Sequence, residues 1–233
     1  MFAPELRADA RVLWHMLRGQ PRGGDHAQNL ASFYGPQAEH YDAFRERLLH
    51  GRRELIQALM PPPRGHVVEL GAGTGANLMY FGDQLARLGR VDLVDLCSPL
   101  LAVAQRRAAR LGNVRVIEAD ACRYDPGKAV DCVYFSYALT MIPDWRGAID
   151  NAIAMLRPGG RLGVVDFHLP ADGGLGNGFW RRWFAHDGVH LSAEHLAYLQ
   201  QRLPAQVTHQ RRGAVPYLPG LRVPYYLFLA WKP

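Results

Sequence analysis

Val67-Val68-Glu69-Leu70-Gly71-Ala72-Gly73-Thr74-Gly75-Ala76-Asn77 runs from an apolar stretch through three alternating glycines into a helical pattern. It reads as a buried strand, a tight turn and a helix start in one piece. Glycine is needed where the backbone takes positive φ or comes close to a ligand, and three at alternating positions leave no side chains to hold a ligand off. The turn therefore predicts a nucleotide-type cofactor, and the acids around it choose which one. Glu69 ends the first predicted strand and Asp95 the second. Taken alone, Gly71 to Ala76 also fits G-x-G-x-x-A, the dinucleotide fingerprint, with Asp95 in place for a ribose, so a nicotinamide or flavin enzyme is the rival reading.

Further along, Val114-Arg115-Val116-Ile117-Glu118-Ala119-Asp120-Ala121 places another acid after the third strand, and Leu156-Arg157-Pro158-Gly159-Gly160-Arg161-Leu162 forms a helix-to-strand turn. Strands are expected near 66–70, 91–95, 114–118, 130–136 and 161–167. Helical patterns near 76–88, 99–111 and 146–156 alternate with them, the rhythm of a parallel sheet with helices on both faces. A helix near 192–203 and strands near 205–211 and 223–231 would complete the sheet by a hairpin. Ligands of such sheets sit at the carboxyl ends of the strands, which gathers Glu69, Asp95, Asp120, Tyr137 and Asp166 around one crevice. Pro61-Pro62-Pro63-Arg64-Gly65 separates a helical arm over residues 1–60, expected to act as a lid, from a catalytic unit over 66–233.

Taken together, these motifs resemble the class I S-adenosylmethionine-dependent methyltransferases. The resemblance implies a Rossmann-like α/β fold with a mostly parallel seven-stranded sheet. It also implies S-adenosyl-L-methionine as methyl donor, leaving as S-adenosyl-L-homocysteine. Glu69 would lie near the amino-acid end of the cofactor, Asp95 would grip the ribose hydroxyls and Asp120 would hold the adenine amino group. Tyr34, Tyr41, Arg52, Gly71, Ala72, Gly73, Gly75, Asn77, Leu96, Ala121 and Ser136 complete the expected cofactor set.

A second, narrower resemblance lies outside that core. Phe33-Tyr34-Gly35-Pro36-Gln37-Ala38-Glu39-His40-Tyr41-Asp42-Ala43-Phe44-Arg45 with Leu48-Leu49-His50-Gly51-Arg52, then Phe135-Ser136-Tyr137-Ala138-Leu139-Thr140-Met141-Ile142-Pro143-Asp144-Trp145, then Pro216-Tyr217-Leu218-Pro219-Gly220-Leu221-Arg222-Val223-Pro224-Tyr225-Tyr226 are similar to the methyltransferase half of betaine-lipid synthases. Those enzymes methylate the amino group of diacylglycerylhomoserine three times. The half that builds the homoserine ether is absent here, so a separate enzyme would supply the lipid. Phosphatidylethanolamine or another small amine is the alternative substrate.

Methyl transfer needs a neutral amine lone pair in line with the sulfonium carbon. Aromatic faces attract methylated ammonium, which suggests a cage from Tyr34, Tyr41, Tyr137, Tyr225 and Tyr226. A substrate carboxylate calls for a guanidinium, and Arg45, Arg52 and Arg222 are the candidates, with Arg52 equally suited to the cofactor's own carboxylate. His40, His168, Asp166 and Tyr137 are the candidate bases, although desolvation alone lowers an amine's pKa.

The 233 residues, 48% of them hydrophobic, suit one α/β domain. No apolar stretch approaches the ~20 residues of a spanning helix and no signal-peptide core is seen, so the expectation is a cytoplasmic protein bound peripherally to the membrane. Leu6, Ala10, Leu13, Trp14 and Leu17, with Arg7, Arg11 and Arg18, suit an interfacial helix, and Phe179-Trp180-Arg181-Arg182-Trp183-Phe184 is a second candidate patch. The net charge of +6 fits an anionic surface. Nucleic acid is not the expected partner, because strand four ends Ser136-Tyr137-Ala138-Leu139 rather than in Asn/Asp-Pro-Pro-Tyr. Cys97, Cys122 and Cys132 have no CxxC spacing and are expected as reduced thiols. His186, His190 and Glu194 or His195 are broken by Gly188, so no metal site is expected.

Overall fold

The computed structural model describes residues 46–169, 191–216 and 220–233. Seven strands form one sheet: β1 (His66–Leu70), β2 (Arg90–Asp95), β3 (Val114–Glu118), β4 (Val130–Ser136), β5 (Leu156–Phe167), β6 (Gln206–Ala214) and β7 (Arg222–Trp231). Their order is β3-β2-β1-β4-β5-β7-β6. The first five run parallel, and β7 inserts antiparallel between β5 and β6. This is the Rossmann-like architecture expected, with all seven strands near their expected positions.

Among the described residues four α-helices cover the two faces: α1 (Arg52–Leu59), α2 (Ser98–Ala108), α3 (Trp145–Met155) and α4 (Glu194–Arg202). Strand alternation sorts the core. Val67, Tyr134, Val165, Phe167 and Tyr225 point toward α1 and α2, while Val68, Val133, Val164, Tyr226 and Phe228 point toward α3 and α4. β1 and β4 read as near-continuous apolar runs because the inner strands of a parallel sheet covered on both faces bury nearly every residue.

Local chemistry sets the ends. Pro99 sits in the first turn of α2, where its missing N–H costs nothing. Asp144 caps α3 by accepting the Gly147 N–H at 3.0 Å. Arg161 Nη1 donates to the Leu59 and Met60 carbonyls at 2.6 and 3.1 Å, closing the end of α1. Two expectations are amended. The segment 76–88 is a 3-10 stretch from Ala76 to Arg87 broken at Gly82, whose φ of 53° and ψ of −137° fit no helix. β5 begins at Leu156, pairing with Val130 before the register shifts to Cys132 and Arg161.

Of the arm expected over 1–60, residues 46–60 are described. Leu55, Ile56 and Leu59 of α1 are at most 2% exposed in the core under β5 and β7; the remainder lies outside the described residues.

Candidate active site

The glycine turn is held from below. Gly71 and Ala72 donate their N–H groups to the Val94 carbonyl at 2.8 and 3.0 Å, and Arg107 Nη1 of α2 reaches the Thr74 carbonyl at 2.5 Å. Gly71 has φ of 77°, and a Cβ there would stand 2.3 Å from that of Ala138. At Gly75, φ is 67° and a Cβ would meet Leu93 at 2.8 Å. Only glycine satisfies both the dihedral and the close approach.

Glu69, at the floor of the turn, is fully buried yet fully engaged. Asn77 Nδ2 donates to its Oε1 at 2.6 Å and the Tyr134 hydroxyl to its Oε2 at 2.7 Å. Arg52, also buried, donates from Nη1 to Asn77 Oδ1 at 3.4 Å. Burial pushes the Glu69 carboxyl up to about 7, against the pull of Asn77, Tyr134 and Arg52. Arg52 and Asn77, both in the expected cofactor set, are brought together with Glu69 although they lie on different elements.

Along the strand ends, Asp95 accepts from Gly73 N at 2.7 Å and from Cys97 N at 2.8 Å, and Asp120 accepts from Cys122 N at 2.9 Å. Both acids are half-buried, as is Leu96 beside Asp95, while Ala121 is buried beside Asp120. Three acids in a row at the ends of β1, β2 and β3 suit an ammonium, a pair of hydroxyls and an amino group carried on one elongated ligand. Ser136 Oγ, buried at the end of β4, has no hydrogen-bond partner among the described residues. That orphaned polar atom and the glycine turn fit S-adenosylmethionine.

Beyond β4 the chain turns sharply. Tyr137 is a non-glycine residue with φ of 55°, a strained conformation of the kind that gathers at functional sites. Its hydroxyl donates to the His50 carbonyl at 2.7 Å, and its ring meets Phe167 edge-on at 4.6 Å. The expected base is thus an anchor: its O–H holds His50, and its ring forms part of a wall. The His50 ring stacks on Tyr225 with centroids 5.9 Å apart and hydrogen-bonds the Ala214 carbonyl at 2.9 Å.

Two expectations are corrected by strand alternation. Tyr225 and Tyr226 are neighbours in β7, so their rings point to opposite faces and cannot share one cage. Tyr226 is fully buried. Asp166 likewise faces the α3/α4 side, fully buried. It accepts from Thr140 N at 3.2 Å, Thr140 Oγ1 at 2.9 Å and Phe167 N at 2.7 Å. Burial pushes its carboxyl up to about 6, and its hydrogen bonds tie it to the turn after β4, on the face of the sheet opposite Val165 and Tyr225. His168 is buried against Tyr226 and Gln210. Arg222 is exposed at the start of β7, at the crevice end of the sheet.

Tyr34, His40, Tyr41 and Arg45 lie outside the described residues, as do segments 1–20 and 179–184, His186 and His190. Sequence reasoning missed Tyr134, Thr140 and His50. Tyr134 reads as one apolar residue in a core strand, and only its register opposite Glu69 reveals its hydroxyl's task. Among the described residues no cluster suits a metal, and no helix is long and apolar enough to cross a membrane.

Residues 67–160 match a family described as a methyltransferase domain. A ubiquinone/menaquinone biosynthesis C-methyltransferase, UbiE, of Pseudomonas savastanoi is 28% identical over 155 residues, 63% of this chain; the chain spans 60% of that relative's length. Phosphoethanolamine N-methyltransferase 2 of Haemonchus contortus, solved with S-adenosylhomocysteine, superposes with a TM-score of 0.70 at 13% identity, over 91% of this chain and 61% of that one. The N-methyltransferase NodS of Bradyrhizobium japonicum, also with S-adenosylhomocysteine, gives 0.61 at 20% identity over 81% and 87%. These structures share the fold, and the dinucleotide reading of the glycine turn gives way to a single-nucleoside cofactor. Residues 67–160, which carry the strand ends that build the cofactor crevice, are thus similar to a methyltransferase domain, and the whole sheet has the Rossmann-like fold of class I S-adenosylmethionine-dependent methyltransferases.

Proposed function

We propose that the chain is an N-methyltransferase that adds methyl groups to the amino group of diacylglycerylhomoserine, giving the trimethylated betaine lipid. One observation carries the reading. Three of the segments that resemble betaine-lipid synthases are far apart in sequence yet meet around His50: residues 48–52, the turn after β4 with Tyr137, and the start of β7 with Tyr225. They form one wall beside Arg52, which belongs to the Glu69 network.

When bound, S-adenosylmethionine supplies an electrophilic methyl group on its sulfonium. The chain's own residues do the rest. Glu69 receives the ammonium of the amino-acid end, Asp95 the ribose hydroxyls and Asp120 the adenine amino group. Tyr137, Phe167 and Tyr225 present aromatic surface at the crevice rim, where a partly desolvated amine is easier to keep neutral and a methylated ammonium is attracted by ring faces. Arg222, exposed at the same end, supplies a planar fork for the homoserine carboxylate. Tyr34, His40, Tyr41 and Arg45 belong to the same proposal as groups of the arm that closes over the crevice. The lipid is met at an anionic membrane surface, once its homoserine ether has been made.

A second reading takes phosphatidylethanolamine or another small amine as acceptor or, as the name of the UbiE relatives suggests, carbon as the methylated atom. The test is mass spectrometry of lipids after incubating the protein with methyl-labelled S-adenosylmethionine and mixed micelles of diacylglycerylhomoserine, phosphatidylethanolamine or a demethylated menaquinone. Label on the homoserine lipid, rising to three methyls, supports the proposal. Label only on another acceptor reassigns the substrate and leaves the cofactor site intact.

A further inference from the structure

Glu69 is a carboxylate placed where water cannot reach it, and its surroundings come from four elements. α1 brings Arg52, the 3-10 stretch brings Asn77, β4 brings Tyr134, and β2 brings Asp95, whose negative charge opposes that of Glu69. Tyr134 is paired with Glu69 in the β1–β4 register, on the same face. It is fully buried, its ring packs near Phe81 at 6.3 Å, and its hydroxyl donates at 2.7 Å. A phenol placed this deep keeps its proton: burial and the nearby Glu69 charge push its pKa well above the ordinary value. The Tyr134 O–H is therefore a fixed donor, and it favours the anionic form of its partner.

We propose that Tyr134 is a positioning residue of the cofactor site: its hydroxyl, from the strand beside Glu69, holds that side chain as the anion that receives the cofactor's ammonium, so that cofactor capture at mildly acidic pH releases a proton. The proposal rests on the S-adenosylmethionine reading of the crevice. The proton balance is simple. A neutral Glu69 carboxyl loses its proton to solvent as the ammonium arrives, and a carboxylate–ammonium pair remains, with Tyr134 and Asn77 still donating to the two oxygens. Above the titration range Glu69 is already ionised and nothing is released.

Calorimetric binding of S-adenosylhomocysteine, which carries the same ammonium, tests this. Its affinity is expected to fall about eightfold from about pH 7.5 to about pH 6, as a carboxyl titrating near 7 becomes protonated. Buffers of different ionisation enthalpy are expected to report close to one proton released at about pH 6 and none at about pH 8.5. In Tyr134→Phe the midpoint is expected to move up by about one pH unit, with binding recovered at alkaline pH. 5′-Methylthioadenosine, which lacks the amino-acid part, serves as control. Its binding is expected to be independent of pH and equal in both proteins, which a merely structural role of Tyr134 would not give. A pH-independent affinity of wild type for S-adenosylhomocysteine, or equal losses for both ligands in Tyr134→Phe, overturns the proposal. Failure of both ligands to bind wild type overturns the cofactor reading instead. Should Tyr134→Phe fail to fold, the proton release of wild type decides.

Discussion

At the scale of single residues, Glu69 shows how burial and function oppose one another. Its carboxyl titrates near 7 in the folded protein against 4.5 for an ordinary glutamate. A carboxyl raised by folding stabilises the fold while protonated, and that contribution is lost as pH rises from about 4.5 through about 7. Glu69→Gln removes the charge and keeps the shape. The cofactor-free variant is expected to be more stable than wild type at pH 8 by on the order of 2–3 kcal/mol, the difference closing toward pH 4.5. Thermal unfolding across that range checks the sign, and the same variant is expected to lose affinity for S-adenosylhomocysteine. Gly71→Ala acts through sterics. With φ of 77° and Ala138 at 2.3 Å from the new Cβ, the turn has to shift, at a cost of about 2 kcal/mol or more. Loss of both S-adenosylhomocysteine and 5′-methylthioadenosine binding is the expected calorimetric result. The glycines and acids were legible in sequence because each carries its constraint in its own type. Tyr134 and Thr140 were not, since each acts through a partner on another strand or turn, which no local pattern announces.

Between residue and molecule lie the elements. Strands β1, β2, β4 and β5 were readable because residues buried on both faces are mostly apolar, a strong signal, whereas the edge strand β3 showed only short apolar stretches around Arg115. The boundary of β5 was harder: Pro158-Gly159-Gly160 suggests a break, yet Leu156 already pairs with β4 before it. The order β5-β7-β6 was not readable, for a hairpin fits either way round from its sequence alone. That order matters, because it puts the start of β7 and the end of β6 beside His50, at the crevice end of β5. Gly213 sits there with no room to spare: a Cβ would stand 2.0 Å from His50 Cδ2. Gly213→Ala is expected to displace the His50 ring from Ala214 and Tyr225 without touching the glycine turn. Steady-state kinetics with the proposed lipid acceptor should then show KM for the acceptor raised about fivefold or more, with cofactor affinity within about twofold of wild type. An equal loss on both sides would mean that His50 supports the whole crevice and not its outer wall.

The whole molecule divides its polar chemistry between the two ends of the sheet. At the carboxyl ends, Glu69, Asp95 and Asp120 line the candidate cofactor crevice while accepting hydrogen bonds from the residues around it. At the opposite end Asp92, fully buried, is satisfied within the protein by His66 Nε2 at 2.6 Å, Arg90 Nε at 2.7 Å and the Tyr124 hydroxyl at 2.9 Å. Burial would raise its pKa, but these three donors outweigh burial and hold it below the ordinary range. Its stabilisation is therefore present above the unfolded value of 3.8 and is lost as pH falls through the lower folded value. Asp92→Ala removes the carboxylate shared by His66, Arg90 and Tyr124 and is expected to cost about 3 kcal/mol near neutral pH, the gap narrowing in acid, with S-adenosylhomocysteine affinity unchanged in the folded fraction. Charge is the other property of the whole chain. At +6 net the chain is attracted to anionic surfaces, and by that attraction the proposed lipid acceptor would be reached. Attraction of that kind is screened within about 8 Å at physiological salt and within about 3 Å at 1 M. Flotation with vesicles containing anionic lipid is thus expected to carry the protein at low salt, to lose it near 1 M salt, and to lose it when the vesicles are made zwitterionic. Binding that survives both changes would point to apolar insertion as the anchor, and no binding at low salt would leave the lipid reading without a route to its substrate.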